Sequence, residues 1–121
     1  MKEILGLFAI LTDPARLRLL RLVLRQELCV CELMDALQMP QYKVSRQLRL
    51  MRSAGLVEAS RSGRWMHYRI SRKAASSGFH QELLKLLDVQ LRALPEVKRD
   101  DTRIRKRLAL RRAGRCVVGQ R

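Results

Sequence analysis

Aromatic residues are scarce in this 121-residue chain, which has two Phe, two Tyr and one Trp. That scarcity argues against a single-strand RNA reader of the stacking kind, which needs aromatic platforms on a sheet. Acidic residues are also few, 11 Asp+Glu against 26 Lys+Arg, and the formal net charge is +15. Three cysteines cannot all pair within one chain, and a cytosolic setting keeps thiols reduced, so no disulfide framework is expected. No apolar run approaches the ~20 residues that cross a bilayer. The opening Met1–Leu11 stretch has Lys2 followed at once by Glu3 and is ended by Asp13-Pro14 without a small-residue cleavage site, so it does not read as a signal peptide. A soluble cytoplasmic protein that does not engage a membrane is expected. There is no phosphate-cradling glycine loop, Cys-x-x-Cys, acid pair or nucleophile–base arrangement, so neither an enzyme nor a required cofactor is expected.

What is present is enough for one domain with a core, since apolar residues make up 47% of the chain. For so basic a protein the first expected partner is nucleic acid, because phosphate neutralisation releases counterions and drives association. An anionic membrane surface comes second and acidic proteins third. The excess charge is unevenly placed: residues 1–94 carry a balance of +8 and residues 95–121 one of +7. The composition shift at Pro95 predicts a compact module over 1–94 and a basic C-terminal tail over 95–121.

Within the module the hydrophobic period is mostly helical. Ile4, Leu7, Phe8 and Leu11 form one short amphipathic stretch. Asp13-Pro14 caps a second, which places Leu17, Leu20, Val23 and Leu24 on one face. A short helix is predicted over 30–37, a turn over 38–41 around Pro40, and a helix over 43–53 with Val44, Leu48 and Met51 turned inward. The period then changes to two. Residues 57–61 and 65–70 alternate as strands about a Ser62-Gly63 turn, which predicts a β-hairpin. Ser71 or Ser76 is placed to cap a last helix carrying Phe79, Leu83, Leu84, Leu86, Leu87 and Leu91. The predicted class is mainly α with a small β-hairpin (α+β): a winged helix-turn-helix. The first and last helices carry more apolar surface than one module can bury, which predicts a homodimer through them.

The stretch Glu27-Leu28-Cys29-Val30-Cys31-Glu32-Leu33 resembles the arsenic-box signature of the ArsR/SmtB family of metal- and metalloid-responsive repressors. Three further stretches are similar to that family in order and spacing. They are Asp13-Pro14-Ala15-Arg16-Leu17, then Val44-Ser45-Arg46-Gln47-Leu48 with Gly55-Leu56-Val57, and Gly63-Arg64-Trp65-Met66-His67-Tyr68-Arg69-Ile70. The resemblance covers roughly residues 5–92 and implies a homodimer on double-stranded operator DNA that dissociates when an inducer binds.

In a helix-turn-helix the second helix enters the major groove with its N-terminal residues toward the bases. Gln41, Tyr42, Lys43, Ser45, Arg46, Gln47 and Arg49 are the candidates here, joined by Arg61 and Arg64 at the wing tip, where cations suit a narrow minor groove. A merely solvated helix face and hairpin tip carry the same residue types. Arg99, Arg103, Arg105, Arg107, Arg111 and Arg112 in the tail are expected to add non-specific affinity.

Cys29 and Cys31 are the candidate sensor, since trivalent arsenic and antimony are thiophilic and thiolates are favoured near a helix N-terminus. Residues i and i+2 of a regular helix lie about 200° apart, so binding one atom to both sulfurs is expected to unwind the first turn. Family members with three adjacent ligands have a Cys three positions after the second, and here Met34 stands there, at helical spacing for the core. The third ligand is left open between Cys116, a small thiol, a solvent oxygen and none. The expected inducer is arsenite or antimonite, with an organoarsenical as a further candidate for a two-thiol site. A zinc-type set is not found: the last helix offers only His80, Glu82 and Asp88, and His67 lies on a strand. Two other readings stay open, a thiol-redox or persulfide-sensing repressor of the same fold and a constitutive basic nucleic-acid-binding protein.

Overall fold

A computed structural model describes residues 1–112. Helices α1 (Lys2–Leu11) and α2 (Pro14–Arg25) are separated by a tight turn in which the Asp13 carboxylate accepts from the Arg16 N–H at 3.0 Å. Pro14 occupies the first turn of α2, where its missing N–H costs nothing. The chain then extends as β1 (Leu28–Cys29) before entering α3 (Val30–Leu37). Gln38 closes α3 in the left-handed region at φ 55°, its side-chain amide donating to Asp35 O at 2.8 Å. Pro40 caps α4 (Gln41–Ser53) from extended backbone.

Gly55, at φ 77°, turns the chain into β2 (Val57–Ser62), which pairs antiparallel with β3 (Trp65–Ile70). Ser62 faces Trp65 across the ladder, so the two-residue turn is Gly63-Arg64, one position later than the expected Ser62-Gly63. Gly63 has φ 62° and Arg64 does not have positive φ, the pattern that wants glycine first in the turn. β1 adds a third strand on the other side of β3, with Leu28 opposite Tyr68 and Cys29 opposite His67, giving the order β1-β3-β2. The sequence reading missed β1 because two residues are too few to show a period of two.

Ser71 caps the short α5 (Arg72–Ser76), accepting from Ala74 N, and Ser77 rather than Ser76 caps α6 (Gly78–Leu91). One core joins these elements. Leu7, Leu19, Leu20, Leu28, Leu33, Leu37, Val44, Leu48, Met51 and Leu56 are all essentially inaccessible, and Met34 packs against them at the edge. The α3–turn–α4 unit and the β2–β3 wing confirm a winged helix-turn-helix.

The expected boundary at Pro95 is corrected. Residues Pro95–Leu108 form α7, which lies along α3 and is buried through Val97, Asp100, Ile104 and Arg107. Asp100 is 1% exposed and accepts from Arg18 Nη2 at 2.7 Å and Arg103 Nη2 at 3.1 Å. Asp101 pairs with the buried Arg21 at 2.6 Å. Charge counting hid the helix because its acids and bases are divided by face. Val97, Ile104 and Leu108 recur at helical spacing, and Pro95 marks the start. Arg103, Arg107 and Arg111 of the expected tail are accordingly engaged with α3, Arg103 Nε donating to Ala36 O at 2.7 Å. The last described helix is therefore α7. α1 and α6 carry exposed apolar residues, Ile4, Leu5, Phe8, Phe79, Leu86 and Val89, while Tyr42, Leu50, Leu94 and Leu110 are exposed elsewhere.

Replacing Asp100 with Ala leaves Arg18 and Arg103 without their shared buried carboxylate and is expected to destabilise the fold by about 3–5 kcal/mol. The exposed Glu96, paired with Arg18 at 3.0 Å, is expected to contribute under about 1 kcal/mol. Urea denaturation of Asp100→Ala and Glu96→Ala checks the contrast.

Candidate sensor and nucleic-acid interface

Cys29 ends β1 and is at the same time the N-cap of α3, with φ −93° and ψ 166°. Its extended backbone turns the side chain away from the direction that a helical residue would take. The Cys29 and Cys31 sulfurs consequently converge to 3.0 Å. The expected obstacle of a 200° separation does not arise, because Cys29 lies outside the helical turn, and no unwinding is needed for both sulfurs to reach one atom. A thiolate-bound centre with bonds of about 2.3 Å holds two sulfurs roughly 3.5 Å apart, so this pair has only to open slightly.

Both cysteines are nearly inaccessible, at 1% and 4% exposure, and Trp65 of the wing packs on them. From the other side Arg107 Nη2 donates to Cys31 Sγ at 3.2 Å while its Nε donates to Asp35 at 2.7 Å. The guanidinium against the sulfur and the N-terminus of α3 both place positive potential at the pair. Glu32, with no exposed surface, accepts from the Cys29 N–H at 3.0 Å and from Arg111 Nε and Nη2 at 2.6 Å each. Arg111 also donates to Glu27 O at 2.9 Å. Neither arginine is legible from the sequence as belonging to this site; the helical period of 97–108 is a signal for Arg107, and Arg111 lies beyond it. Cys116 lies outside the described residues. Met34 packs into the core edge, and His67, opposite Cys29, is buried with Nδ1 3.9 Å from Glu27 Oε1. Asp88 is taken up by Arg21, Arg25 and Arg92, and His80 Nδ1 meets the Ser77 hydroxyl at 2.8 Å. Among the described residues no group of three or more His, Cys, Asp or Glu is placed to hold a metal ion.

On α4 the exposed face carries Gln41, Tyr42, Lys43, Arg46 and Arg49, with Ser45 half-buried. Gln47 is corrected: it is 4% exposed and its carbonyl accepts from Arg16 Nη1 at 3.3 Å. Position 47 is three residues after Val44 and four before Met51, so it falls on the inward stripe despite its polar side chain. Arg61 and Arg64 are exposed at the wing, with the Arg64 guanidinium 5.4 Å from the Trp65 ring centroid. Among the described residues Lys43, Arg46, Arg49, Arg61 and Arg64 form no ion pair, whereas the arginines of α2 and the inner face of α7 are almost all paired. Arg52, exposed on the last turn of α4, belongs with the first group. The described cations that are left for an external polyanion include those of the helix–wing surface and the outer face of α7, with Lys2, Arg72 and Lys85 elsewhere. The sulfur pair and the reading surface are not remote. Cys29, Cys31, Gln41, Ser45, Arg64 and Trp65 line one cleft of about 550 Å³.

Burial pushes the Glu32 carboxyl up, but the Arg111 guanidinium and the Cys29 N–H outweigh it and hold it below its ordinary value of 4.5. A group depressed in the folded state contributes its full stability above the ordinary value and loses it as pH falls through the lowered one. The wild type is therefore expected to lose stability on acidification below about pH 4.5, and Glu32→Gln to lose about 3 kcal/mol at pH 7 while flattening that acid limb. Thermal unfolding followed from pH 7 to pH 3 measures both.

Comparison with known proteins agrees with this architecture. The model of the bacterial regulatory protein arsR family matches residues 13–59. The chain is 36% identical over 104 residues to the arsenic resistance transcriptional regulator ArsR1 of Pseudomonas putida, covering 83% of this chain and 74% of that protein. It is 47% identical over 66 residues to the arsenical resistance operon repressor of Escherichia coli, covering 54% and 56%. Among solved structures, reduced HlyU of Vibrio cholerae superposes with a TM-score of 0.65 at 26% identity, over 74% of this chain and 88% of that one. The homodimeric winged helix-turn-helix DNA-binding domain Mb0332 of Mycobacterium bovis gives 0.61 at 28%, over 77% and 82%. The AntR antimony-specific transcriptional repressor gives 0.59 at 34%, over 70% and 73%. These relatives are transcriptional regulators and not enzymes, and no described helix is long and apolar enough to cross a membrane. By the family match and by its identity to these regulators over most of its length, the chain belongs to the ArsR/SmtB family of transcriptional repressors.

Proposed function

We propose that this repressor binds operator DNA as a homodimer and dissociates when trivalent arsenic or antimony is captured by Cys29 and Cys31, with Cys116 as the third thiolate. The observation that carries the reading is the convergence of the two sulfurs to 3.0 Å at the head of α3, the first helix of the helix-turn-helix. Arsenite brings three As–O bonds. Each As–S bond formed breaks one of them and releases one water, with the thiol proton leaving on the oxygen and no change of oxidation state. In the sequence Cys116 follows five positions after Arg111, which touches Glu27 and Glu32, and nine after Arg107, which touches Cys31.

The exposed apolar residues of α1 and α6 supply the dimer surface, and two reading helices then address a two-fold operator. Arg46, Arg49, Lys43 and the wing arginines hold the duplex. The metalloid binds the DNA-free form better and shifts the population to it. The relatives' names, arsenic resistance regulator and antimony-specific repressor, point to the same inducer class.

A gel shift under reducing conditions tests the proposal. Micromolar arsenite or antimonite is expected to release the wild type, while Cys29→Ser and Cys31→Ser stay bound, and Cys116→Ser is expected to need at least tenfold more metalloid. An unchanged response of Cys116→Ser removes that residue from the site. Release by peroxide or polysulfide but not by metalloid replaces this reading with a thiol-redox sensor, for which the 3.0 Å sulfur pair is equally placed. Indifference to both leaves a constitutive binder. Light scattering is expected to give a dimer at micromolar concentration, and a monomer contradicts the α1–α6 surface.

A further inference from the structure

The cleft at the sulfur pair is far larger than one metalloid atom requires, and its walls belong to the DNA-reading surface. Gln41 and Ser45 come from the first two turns of α4, and Arg64 comes from the turn of the wing. A side-chain amide, a hydroxyl and a guanidinium converging between reading helix and wing are the donors that hold a backbone phosphate of a duplex. Trp65 forms a shared wall. It packs on Cys29 and Cys31, and the Arg64 guanidinium lies against its ring.

We propose that this cleft is a single site with two alternating occupants: a phosphodiester of the operator backbone, held by Gln41, Ser45 and Arg64, and the inducer bonded to Cys29 and Cys31. A centre bonded to both sulfurs stands about 2.3 Å from each, on the side of the pair that the cleft opens, and its third substituent fills space a phosphate needs. It also presses on Trp65, the support of Arg64. Release of DNA is then exclusion from a common cavity rather than a signal passed between separate sites. The inducer half of this inference rests on the sensor reading given above, and the DNA half does not.

Two measurements on the full chain test it, with a duplex selected by the protein from a random-sequence pool. The first uses no metalloid. N-ethylmaleimide modification of Cys29 and Cys31, followed by peptide mapping, is expected to slow at least tenfold when the duplex is saturating. A rate within twofold of that in the DNA-free protein overturns the shared cleft. The second follows the apparent Kd for the duplex as antimonite is raised under reducing conditions. Exclusion predicts a rise in proportion to antimonite over three decades with no ceiling. Coupling between separate sites saturates, at about 5–150-fold for ordinary coupling energies, and such a plateau, with a ternary complex visible in the gel, overturns the proposal. If antimonite leaves the Kd unchanged, the sensor reading is what fails, and maleimide protection alone decides whether the backbone fills the cleft.

Discussion

A buried carboxylate needs a cation and hydrogen-bond donors around it, and Glu32 has no exposed surface at all. Its partners come from two distant parts of the chain, the Cys29 N–H beside it and the Arg111 guanidinium beyond the end of α7. That one requirement organises much of the molecule. It fixes Cys29 as the cap of α3, turns its sulfur toward Cys31 and draws α7 back along α3. The sulfur geometry, the cleft and the path of the C-terminal segment all depend on it.

The arginines of this protein divide into two populations, and the division explains how so basic a chain folds compactly. Arg18, Arg21 and Arg111 make bidentate contacts with Asp100, Asp101 and Glu32, and Arg103 and Arg107 add bonds to Asp100 and Asp35. Lys43, Arg46, Arg49, Arg61 and Arg64 stand on α4 and the wing with no ion pair among the described residues. The first set holds α2, α3 and α7 together, and the second leaves a positive field on the face of α4 and the wing. A net charge states the sum of the two and cannot apportion it.

The cysteine pair, α4 and the wing meet at one cleft because Cys29 ties β1, β3 and α3 together. It is the last residue of β1, paired across to His67 in the wing, and it caps the helix that precedes α4. Its sulfur therefore lies at the head of the helix before α4 and against Trp65 of the wing.

Much of this was legible in the sequence, because local rules suffice for it. Pro14 and Asp13 start α2, Pro40 separates α3 from α4, Gly63 turns the hairpin, and the heptad-like spacing of Leu and Val marks the inward faces. The same rules set α3 at Val30–Leu37 and made the Cys-x-Cys pair a candidate ligand set. What the sequence could not yield depends on residues far apart in the chain. Gln47 reads as a base contact until packing shows that its position faces Arg16. The last quarter reads as a loose cationic tail until Asp100 finds Arg18 and Arg107 finds Cys31 and Asp35. Two cysteines at i and i+2 read as divergent until β1 takes the first of them out of the helix. The sequence by itself determined which residues are helical, which are apolar and which are thiols, since those properties are carried by neighbours within a few positions. Only the tertiary structure decided which charges are spent inside the molecule and where the sulfurs point, because burial and pairing are set by contacts across 80 residues and not by any local pattern.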